Sequence, residues 1–165
     1  MRCCETKDAA ERENDPGPAV RVEVQRLENY PPEWDLPTYA TAGSAGVDLR
    51  NAGPTVTIPS GGRHLVPTGL AVALPRGLEA QVRPRSGLAI RRGIGIINSP
   101  GTIDSDYRGE IRVPLINHDP NPQRVEHGER IAQMLIAQVL RIEWNAVTEL
   151  PESGRGTGGF GSTGR

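Results

Sequence analysis

Short runs in which apolar and polar residues alternate dominate this chain. Val20, Val22 and Val24 are each followed by a polar residue, a period of two that indicates a β-strand with one buried face. Further strand-like runs follow at 56–58, 64–66, 70–74, 79–83, 94–97, 110–116 and 131–142. Clusters of Gly, Pro, Asn and Asp separate these runs, a pattern typical of an all-β sandwich or barrel.

Twenty glycines and fifteen prolines leave little room for long helices. The segment 87–92 predicts one short helix. We expect one all-β domain at residues 19–150, because 165 residues suit a single domain. A charged segment that ends in Pro-Gly-Pro predicts a disordered leader at 1–18, and a glycine-rich tail follows at 151–165.

The run 131–140 is too apolar for a strand with one solvated face. It fits either a central core strand or a strand buried against another subunit. Only 4% of the residues are aromatic, so an isolated subunit has few large side chains to bury. This composition favours an oligomer.

Charge and cysteine content exclude several classes of protein. The net charge of −1 gives no electrostatic reason to expect a nucleic acid or an anionic membrane as partner. Cys3 and Cys4 are adjacent, which fits neither a disulfide framework nor a zinc site. No apolar run approaches membrane-spanning length and no secretory signal opens the chain, so we expect a cytoplasmic protein.

The glycine-rich tail contains the only phenylalanine of the chain, Phe160, together with Arg155. Such a segment suits either a disordered linker or a mobile flap. In a flap, the ring stacks on a planar ligand and the guanidinium binds an anion. Gly159 and Gly161 would then let the backbone approach phosphate oxygens.

A second candidate for anion binding directly precedes the predicted helix. Arg85, Ser86 and Gly87 place a guanidinium and a hydroxyl beside exposed backbone N–H groups. Ser is also an ordinary helix cap, so this pattern alone is weak. A similar question concerns Asp48, which lies between apolar neighbours, where a carboxylate is costly unless a cation is near.

A third candidate segment spans residues 98–109. Its Pro-Gly pair at 100–101 predicts a turn between two strand-like runs, and hence a hairpin whose edge can hydrogen-bond a flat ligand. Asp104 and Asp106 fit either a chemical role or simple turn formation, with turn formation the better interpretation for Asp106.

Five segments in this order resemble the five motifs of the trimeric deoxyuridine triphosphatases (dUTPases). They are AGSAGVDL at 42–49, PRSGLA at 84–89, GTIDSDYRG at 101–109, RIAQ at 130–133 and RGTGGFGSTG at 155–164. Val47 stands where many members have Tyr or Leu, a change expected to affect packing only. The resemblance runs from about residue 20 to the C-terminus and leaves the leader outside.

The resemblance implies a jelly-roll homotrimer with active sites at the subunit interfaces and a flexible C-terminal flap supplied by another chain. It implies hydrolysis of dUTP to dUMP and pyrophosphate through attack of water on the α-phosphorus. That reaction limits uracil incorporation into DNA and supplies dUMP for thymidylate synthesis. The implied cofactor is Mg²⁺.

The resemblance also implies roles for individual residues. Asp104 is the implied base that activates the water, and Asp48 is implied to reach Mg²⁺ through water. Tyr107 packs under the deoxyribose, Arg155 acts like an arginine finger and Phe160 covers the uracil. The implied substrate-binding residues are Arg85, Ser86, Gly87, Asn98, Gly101, Thr102, Ile103, Tyr107, Arg112, Gln133, Arg155, Gly159, Phe160 and Gly161. For Arg112 and Arg130, the choice between a substrate contact and a structural role stays open.

Two other functions compete with this interpretation. A dCTP deaminase resembles the dUTPases in fold and trimer, but by our alignment it needs Glu at the position of Pro114, and proline cannot transfer a proton. A non-catalytic nucleotide-binding jelly-roll protein is the second. It would not require Asp48, Asp104, Arg155 and Phe160 together.

Overall fold

A computed structural model describes residues 19–159, so the predicted leader and residues 160–165, including Phe160 and Gly161, lie outside the described part. Those described residues form eleven strands and one helix. The elements are β1 (Glu23–Arg26), β2 (Val47–Arg50), β3 (Val56–Ile58), β4 (Arg63–Pro67), β5 (Leu70–Ala73), β6 (Leu78–Pro84), α1 (Ser86–Arg92), β7 (Ile94–Ile96), β8 (Gly101–Ile103), β9 (Arg112–Asn117), β10 (Gln123–Val125) and β11 (Arg130–Gln138). The all-β prediction with one short helix is confirmed.

All strand pairs are antiparallel and form four sheets. The largest has the order β2-β11-β6-β8, and a three-stranded sheet has the order β4-β9-β7. Two small sheets pair β1 with β5 and β10 with β3. One buried cluster joins them, and its members include Leu49, Ile58, Val66, Val72, Val82, Ile94, Val113, Leu115, Val125 and Ile131.

The sequence pattern placed most strands well but misjudged several ends. The first strand begins at Glu23 rather than Val20, because it pairs with β5 only from Glu23 opposite Ala73 onwards. The pattern missed β2, β8 and β10, which are short and depend on distant partners. The last strand ends at Gln138, since its partner β6 begins opposite that residue.

The hairpin predicted around the Pro-Gly pair at 100–101 forms in its strand pairing, because the predicted runs 94–97 and 110–116 pair antiparallel as β7 with β9. The Pro-Gly pair itself is not a tight hairpin turn, since Gly101 begins β8. The strands on either side of it belong to different sheets: β7 pairs with β9, and β8 pairs with β6. Ile94 and Ile96 bury their side chains in the core beside β9, whereas β8 leaves this pair and joins the largest sheet. The segment between β7 and β8 therefore crosses from one sheet to another.

The apolar run at 131–140 begins as a central core strand, one of the two interpretations that its sequence allowed. β11 lies between β2 and β6 in the largest sheet, and Ile131 and Ala132 are buried. Residues 133–137 are only half-buried in the single chain, and Val139 and Leu140 are exposed. The first half of the run is a central core strand, whereas the second half keeps apolar surface available.

No helix within residues 19–159 is long and apolar enough to cross a membrane.

A fully buried asparagine fixes the end of β2. The Asn51 side chain donates to the carbonyl oxygens of Pro54 (3.1 Å) and Glu126 (3.0 Å) and accepts from the N–H of Gly53 (2.9 Å). Its backbone N–H donates to the carbonyl of Glu129 at 2.9 Å. These bonds join β2 to the turn that precedes β11.

Replacing Asn51 with Ala should lower the free energy of unfolding by about 2–3 kcal/mol, because buried backbone groups lose their partners. Urea denaturation at fixed protein concentration measures this change. Asn121→Ala is the matched control, since the Asn121 side chain is exposed and bonds only to Asp119 within the described residues. Equal destabilisation by the two substitutions would contradict the role of Asn51.

Candidate active site

Three strands bring four predicted site residues together. Asp48 on β2 lies opposite Gln133 on β11, and Gln133 lies opposite Arg83 near the end of β6. The Asp48 carboxylate pairs with Arg85 (Nε–Oδ1, 2.9 Å) and Arg130 (Nη1–Oδ2, 3.4 Å). We name Asp48, Arg85, Arg130 and Gln133 the Asp48 cluster. The expectation that Asp48 needs a nearby cation is confirmed.

The Asp48 cluster has an excess of positive charge and ready hydrogen-bond donors. Two guanidinium groups face one carboxylate, and Arg85 Nη1 also donates to the carbonyl of Arg130 at 3.1 Å. The Gln133 amide donates to the carbonyl of Pro84 at 2.9 Å. Such a site suits a polyanion, because planar guanidinium groups match phosphate oxygens.

Ser86 and Gly87 begin α1 beside this cluster. The N-cap is Arg85 in extended conformation, without a side-chain cap, and the Ser86 residue is exposed. The simple capping interpretation of Ser86 is therefore wrong. A Cβ atom at Gly87 would lie 2.7 Å from Nη2 of Arg91, so the missing side chain leaves room for a third guanidinium.

A cavity of about 330 Å³ borders the Asp48 cluster. Trp34 and Tyr30 line it, and the Arg50 guanidinium lies 5.5 Å from the Trp34 ring centroid. The Tyr30 hydroxyl donates to the carbonyl of Asp35 at 2.6 Å. Burial raises the pKa of Tyr30 above its ordinary value, so this hydroxyl is a neutral donor near pH 7.

The second group of predicted residues lies on β8 and the turn after it. We name residues 98–110 the Asp104 segment. Gly101 is buried, and a Cβ there would lie 3.3 Å from Nδ2 of Asn98, so the Asn98 amide lies against this backbone. Thr102 is exposed and Ile103 is half-buried, so the edge of β8 opposite β6 is accessible in this chain.

Asp104 follows β8 directly and is exposed. It lines a cavity of about 520 Å³ together with Glu79, Asp106 and Arg141. None of the five ion pairs found within residues 19–159 involves Asp104. The two predicted acids thus differ in environment: Asp48 is held by two cations, whereas Asp104 faces solvent.

Tyr107 and Arg112 meet at Glu110. The Tyr107 hydroxyl donates to the carbonyl oxygen of Glu110 at 3.0 Å, and its N–H donates to the carbonyl of Asp104 at 3.1 Å. Arg112 Nε lies 3.8 Å from the Glu110 carboxylate. The structure therefore links Tyr107, Arg112 and Asp104 through the chain that directly follows β8.

The Asp48 cluster and the Asp104 segment are far apart within one chain. β2 and β8 are the edge strands of the largest sheet, with two strands between them. Across the sheet, Asp48 is in register with Arg83 of β6, and Ile103 is in register with Ala80 of β6. Asp48 and Ile103 are therefore offset by three residues along the strand direction. Standard strand spacings put the two groups roughly 17 Å apart.

Arg155 and Gly159 join neither group in the single chain. Arg155 Nε donates to the carbonyl of Gly158 at 2.7 Å, a contact within its own turn. A Cβ atom at Gly159 would meet nothing within 4 Å. Phe160 and Gly161 lie outside the described residues, so their predicted roles stay predictions.

The donor set suits Mg²⁺ only in part. Residues 19–159 contain no cluster of three or more His, Cys, Asp or Glu side chains that could hold a metal ion with protein atoms alone. A single carboxylate such as Asp48 fits Mg²⁺ that arrives with a substrate, because Mg²⁺ keeps several waters and binds one or two carboxylates plus phosphates.

The sequence profile of the dUTPase family matches residues 32–164. The chain belongs to the dUTPase family. It is 56% identical over 146 residues to the deoxyuridine 5'-triphosphate nucleotidohydrolase of Anaeromyxobacter sp. (strain Fw109-5), covering 88% of this chain and 99% of that protein. It is 55% identical over 148 residues to the enzyme of the same name from Maricaulis maris (strain MCS10), covering 88% and 97%.

Solved dUTPase structures share the fold of this chain. A variant of the Staphylococcus bacteriophage 80alpha dUTPase, solved with dUpNHpp, has a TM-score of 0.79 at 26% identity. The match covers 89% of this chain and all of that one. The predicted family, jelly-roll fold and dUTP diphosphatase activity are confirmed, and both rival functions lose their support.

Sequence reasoning missed Arg91 and Glu110 as neighbours of the site. For Arg91 a signal existed, because residues four apart share a helix face and Gly87 leaves space there. For Glu110 no local signal existed, since its carboxylate bonds to Asn29 and Gly69. These partners are distant in sequence.

Replacing Asp48 with Asn should lower kcat/KM for dUTP about tenfold or more, because Arg85 and Arg130 lose the anion that orients them. Steady-state assays of pyrophosphate release measure this change. Glu126→Gln is the control, since the Glu126 carboxylate has an exposed pair with Arg124 at 3.8 Å. Normal kcat/KM in the Asp48 variant would show that its ion pairs do not organise the site.

Proposed function

We propose that this dUTPase acts as a homotrimer in which Asp104 of one subunit and the Asp48 cluster of another complete a shared site for dUTP. The observation that carries this proposal is the position of β2 and β8 at opposite edges of the largest sheet. Standard strand spacings convert this position into a separation of roughly 17 Å. A general base must lie within hydrogen-bond reach of the water that it activates. One chain alone therefore does not place Asp104 and the phosphate-binding arginines around one α-phosphorus.

The contrast between the two acids supports their separate roles. Asp104 is exposed and outside the ion pairs found in residues 19–159, so its carboxylate is free to hold a water and accept its proton. That water attacks the α-phosphorus as the bond from phosphorus to the bridging oxygen breaks, and pyrophosphate leaves. Asp48 is engaged by Arg85 and Arg130 and is a poor candidate for the base.

The phosphate chain is bound by the Asp48 cluster together with Ser86 and Gly87. Charge develops on the leaving pyrophosphate, where fixed guanidinium groups stabilise it best. Mg²⁺, when bound, neutralises part of the same charge. Asp48 is the carboxylate that would hold the ion through water.

The Asp104 segment recognises the base and the sugar. Its backbone at Gly101, Thr102 and Ile103, with the Asn98 amide, offers donors and acceptors at an exposed sheet edge. A site built for hydrogen bonds rejects a wrong base strongly, because its own polar groups are then left unpaired. Tyr107 packs under the deoxyribose and leaves no room for a 2'-hydroxyl.

Exposed apolar side chains support assembly. Leu140, Ile142 and Trp144 alternate with polar residues and are 91%, 72% and 87% exposed in the single chain. This alternation is typical of a strand with one buried face. A second subunit is the partner that would cover it.

The C-terminal segment 151–165 completes the site from a further subunit. Arg155 would add positive charge to the transition state, as arginine fingers do. Phe160 would cover the uracil, with Gly159 and Gly161 allowing close approach of the backbone. We place the enzyme in the cytoplasm, where it limits uracil incorporation into DNA and supplies dUMP.

Asp104→Asn should lower kcat for dUTP by about 10²-fold or more while leaving dUTP binding largely intact, because Asn holds a water but cannot take its proton. Stopped-flow kinetics measure the rate, and titration with a non-hydrolysable analogue measures the binding. Retention of kcat near the wild-type value would eliminate Asp104 as the base.

Mixing Asp104→Asn trimers with trimers truncated before residue 154 should restore activity that neither has alone. Some mixed trimers would combine an intact Asp104 with an intact C-terminal segment from another chain. Subunit exchange is checked independently with tagged chains and native mass spectrometry. If exchange occurs and no activity returns, each C-terminal segment serves the site of its own Asp104.

A further inference from the structure

The Tyr107 ring lies at the surface against the backbone of its own turn. The residue is 43% exposed, so core packing does not fix its ring. Its hydroxyl donates to the backbone carbonyl of Glu110 at 3.0 Å. A Cβ atom at Gly109 would lie 2.4 Å from that hydroxyl oxygen, so the ring rests directly on the glycine backbone. The position of Tyr107 therefore depends on the backbone at 109–110.

The Glu110 carboxylate ties this backbone to distant parts of the fold. Its Oε1 accepts from the N–H of Gly69 and from Nδ2 of Asn29, both at 2.8 Å. The Glu110 side chain is only 20% exposed. Hydrogen bonds to an ionised carboxylate are stronger than neutral ones, so two of them make an effective anchor.

The Gly69 end of this anchor is rigid. Gly69 is buried with φ of +69°, a conformation that favours glycine. A Cβ atom there would lie 2.9 Å from the backbone of Tyr30, so the turn packs tightly against that segment. The Gly69 N–H that donates to the Glu110 carboxylate is therefore held in a fixed position.

The peptide after Glu110 is held from its other side. The Ile111 N–H donates to the carbonyl of Leu70 at 2.8 Å, and Ile111 is fully buried. A trans peptide directs its N–H and C=O in opposite directions. The Glu110 carbonyl therefore points away from Leu70, towards the Tyr107 hydroxyl that it accepts.

We propose that Glu110 is a positioning residue for nucleotide selection. Its carboxylate fixes the backbone carbonyl to which the Tyr107 hydroxyl donates a hydrogen bond. The fixed carbonyl sets the position of the Tyr107 ring, which screens the sugar. The same carboxylate lies 3.8 Å from Arg112 Nε, so it also faces a second substrate-binding candidate. This inference rests on the sugar-screening role of Tyr107 proposed above.

The test compares kcat/KM for dUTP with kcat/KM for UTP in the full-length enzyme. Glu110→Ala should lower the dUTP-to-UTP ratio about tenfold or more, because a displaced ring admits the 2'-hydroxyl. Glu110→Gln should keep a ratio near the wild-type value, since its amide oxygen accepts the same two hydrogen bonds. Glu126→Ala, at an exposed carboxylate, should leave the ratio unchanged.

Tyr107→Ala separates this inference from the proposed function. If Tyr107→Ala lowers the ratio and Glu110→Ala does not, Tyr107 screens the sugar without help from Glu110 and the inference is overturned. If Tyr107→Ala leaves the ratio unchanged, the sugar-screening role and the inference fail together. An equal loss of activity towards both nucleotides in Glu110→Ala indicates a general structural role and also overturns the inference.

Tyr107→Phe keeps the test decisive if Glu110→Ala does not form a folded trimer. This variant lacks only the hydroxyl that donates to Glu110. A lower dUTP-to-UTP ratio in Tyr107→Phe supports the proposal. An unchanged ratio in Tyr107→Phe overturns the proposal. A ratio in Glu110→Gln that falls as far as is expected for Glu110→Ala also overturns it.

Discussion

The double pairing of β11 is the interaction on which both the core and the candidate site depend. This strand pairs with β2 on one side and β6 on the other, and it buries Ile131 and Ala132 in the core. The same register sets Gln133 opposite Asp48 and brings Pro84, at the end of β6, opposite Ala132. A shift of one residue would turn Gln133 towards the core, because side chains alternate between the two faces.

The sheet that creates the Asp48 cluster also keeps it away from Asp104, the proposed base. β2 and β8 lie at opposite edges, so the distance between Asp48 and Asp104 follows from the strand order. Apolar residues that follow β11 are exposed in the single chain, because no part of its core covers them. The proposed assembly would therefore meet two needs of the single chain: it would cover apolar surface and bring the two proposed halves of the site together.

Charge is distributed unevenly between the two halves. Asp48 compensates part of the positive charge of Arg85 and Arg130, which keeps neighbouring guanidinium groups close without a bound anion. Asp104 is exposed and lines a cavity of about 520 Å³ instead. The two acids belong to the same residue type, but their surroundings differ: Asp48 pairs with two guanidinium groups, whereas Asp104 is in none of the ion pairs of residues 19–159.

Sequence by itself determined the all-β class, the family and the candidate residues, because alternation, turn residues and short motifs are local properties. It also predicted that Asp48 needs a cation. It did not predict that β8 leaves the β7–β9 pair for another sheet, nor which residues bond to the Glu110 carboxylate. Strand β8 pairs with β6, which is distant in sequence. The Glu110 carboxylate accepts hydrogen bonds from residues 41 and 81 positions away. Only the tertiary structure decided these points, since strand pairing and carboxylate contacts depend on which segments the folded core brings together.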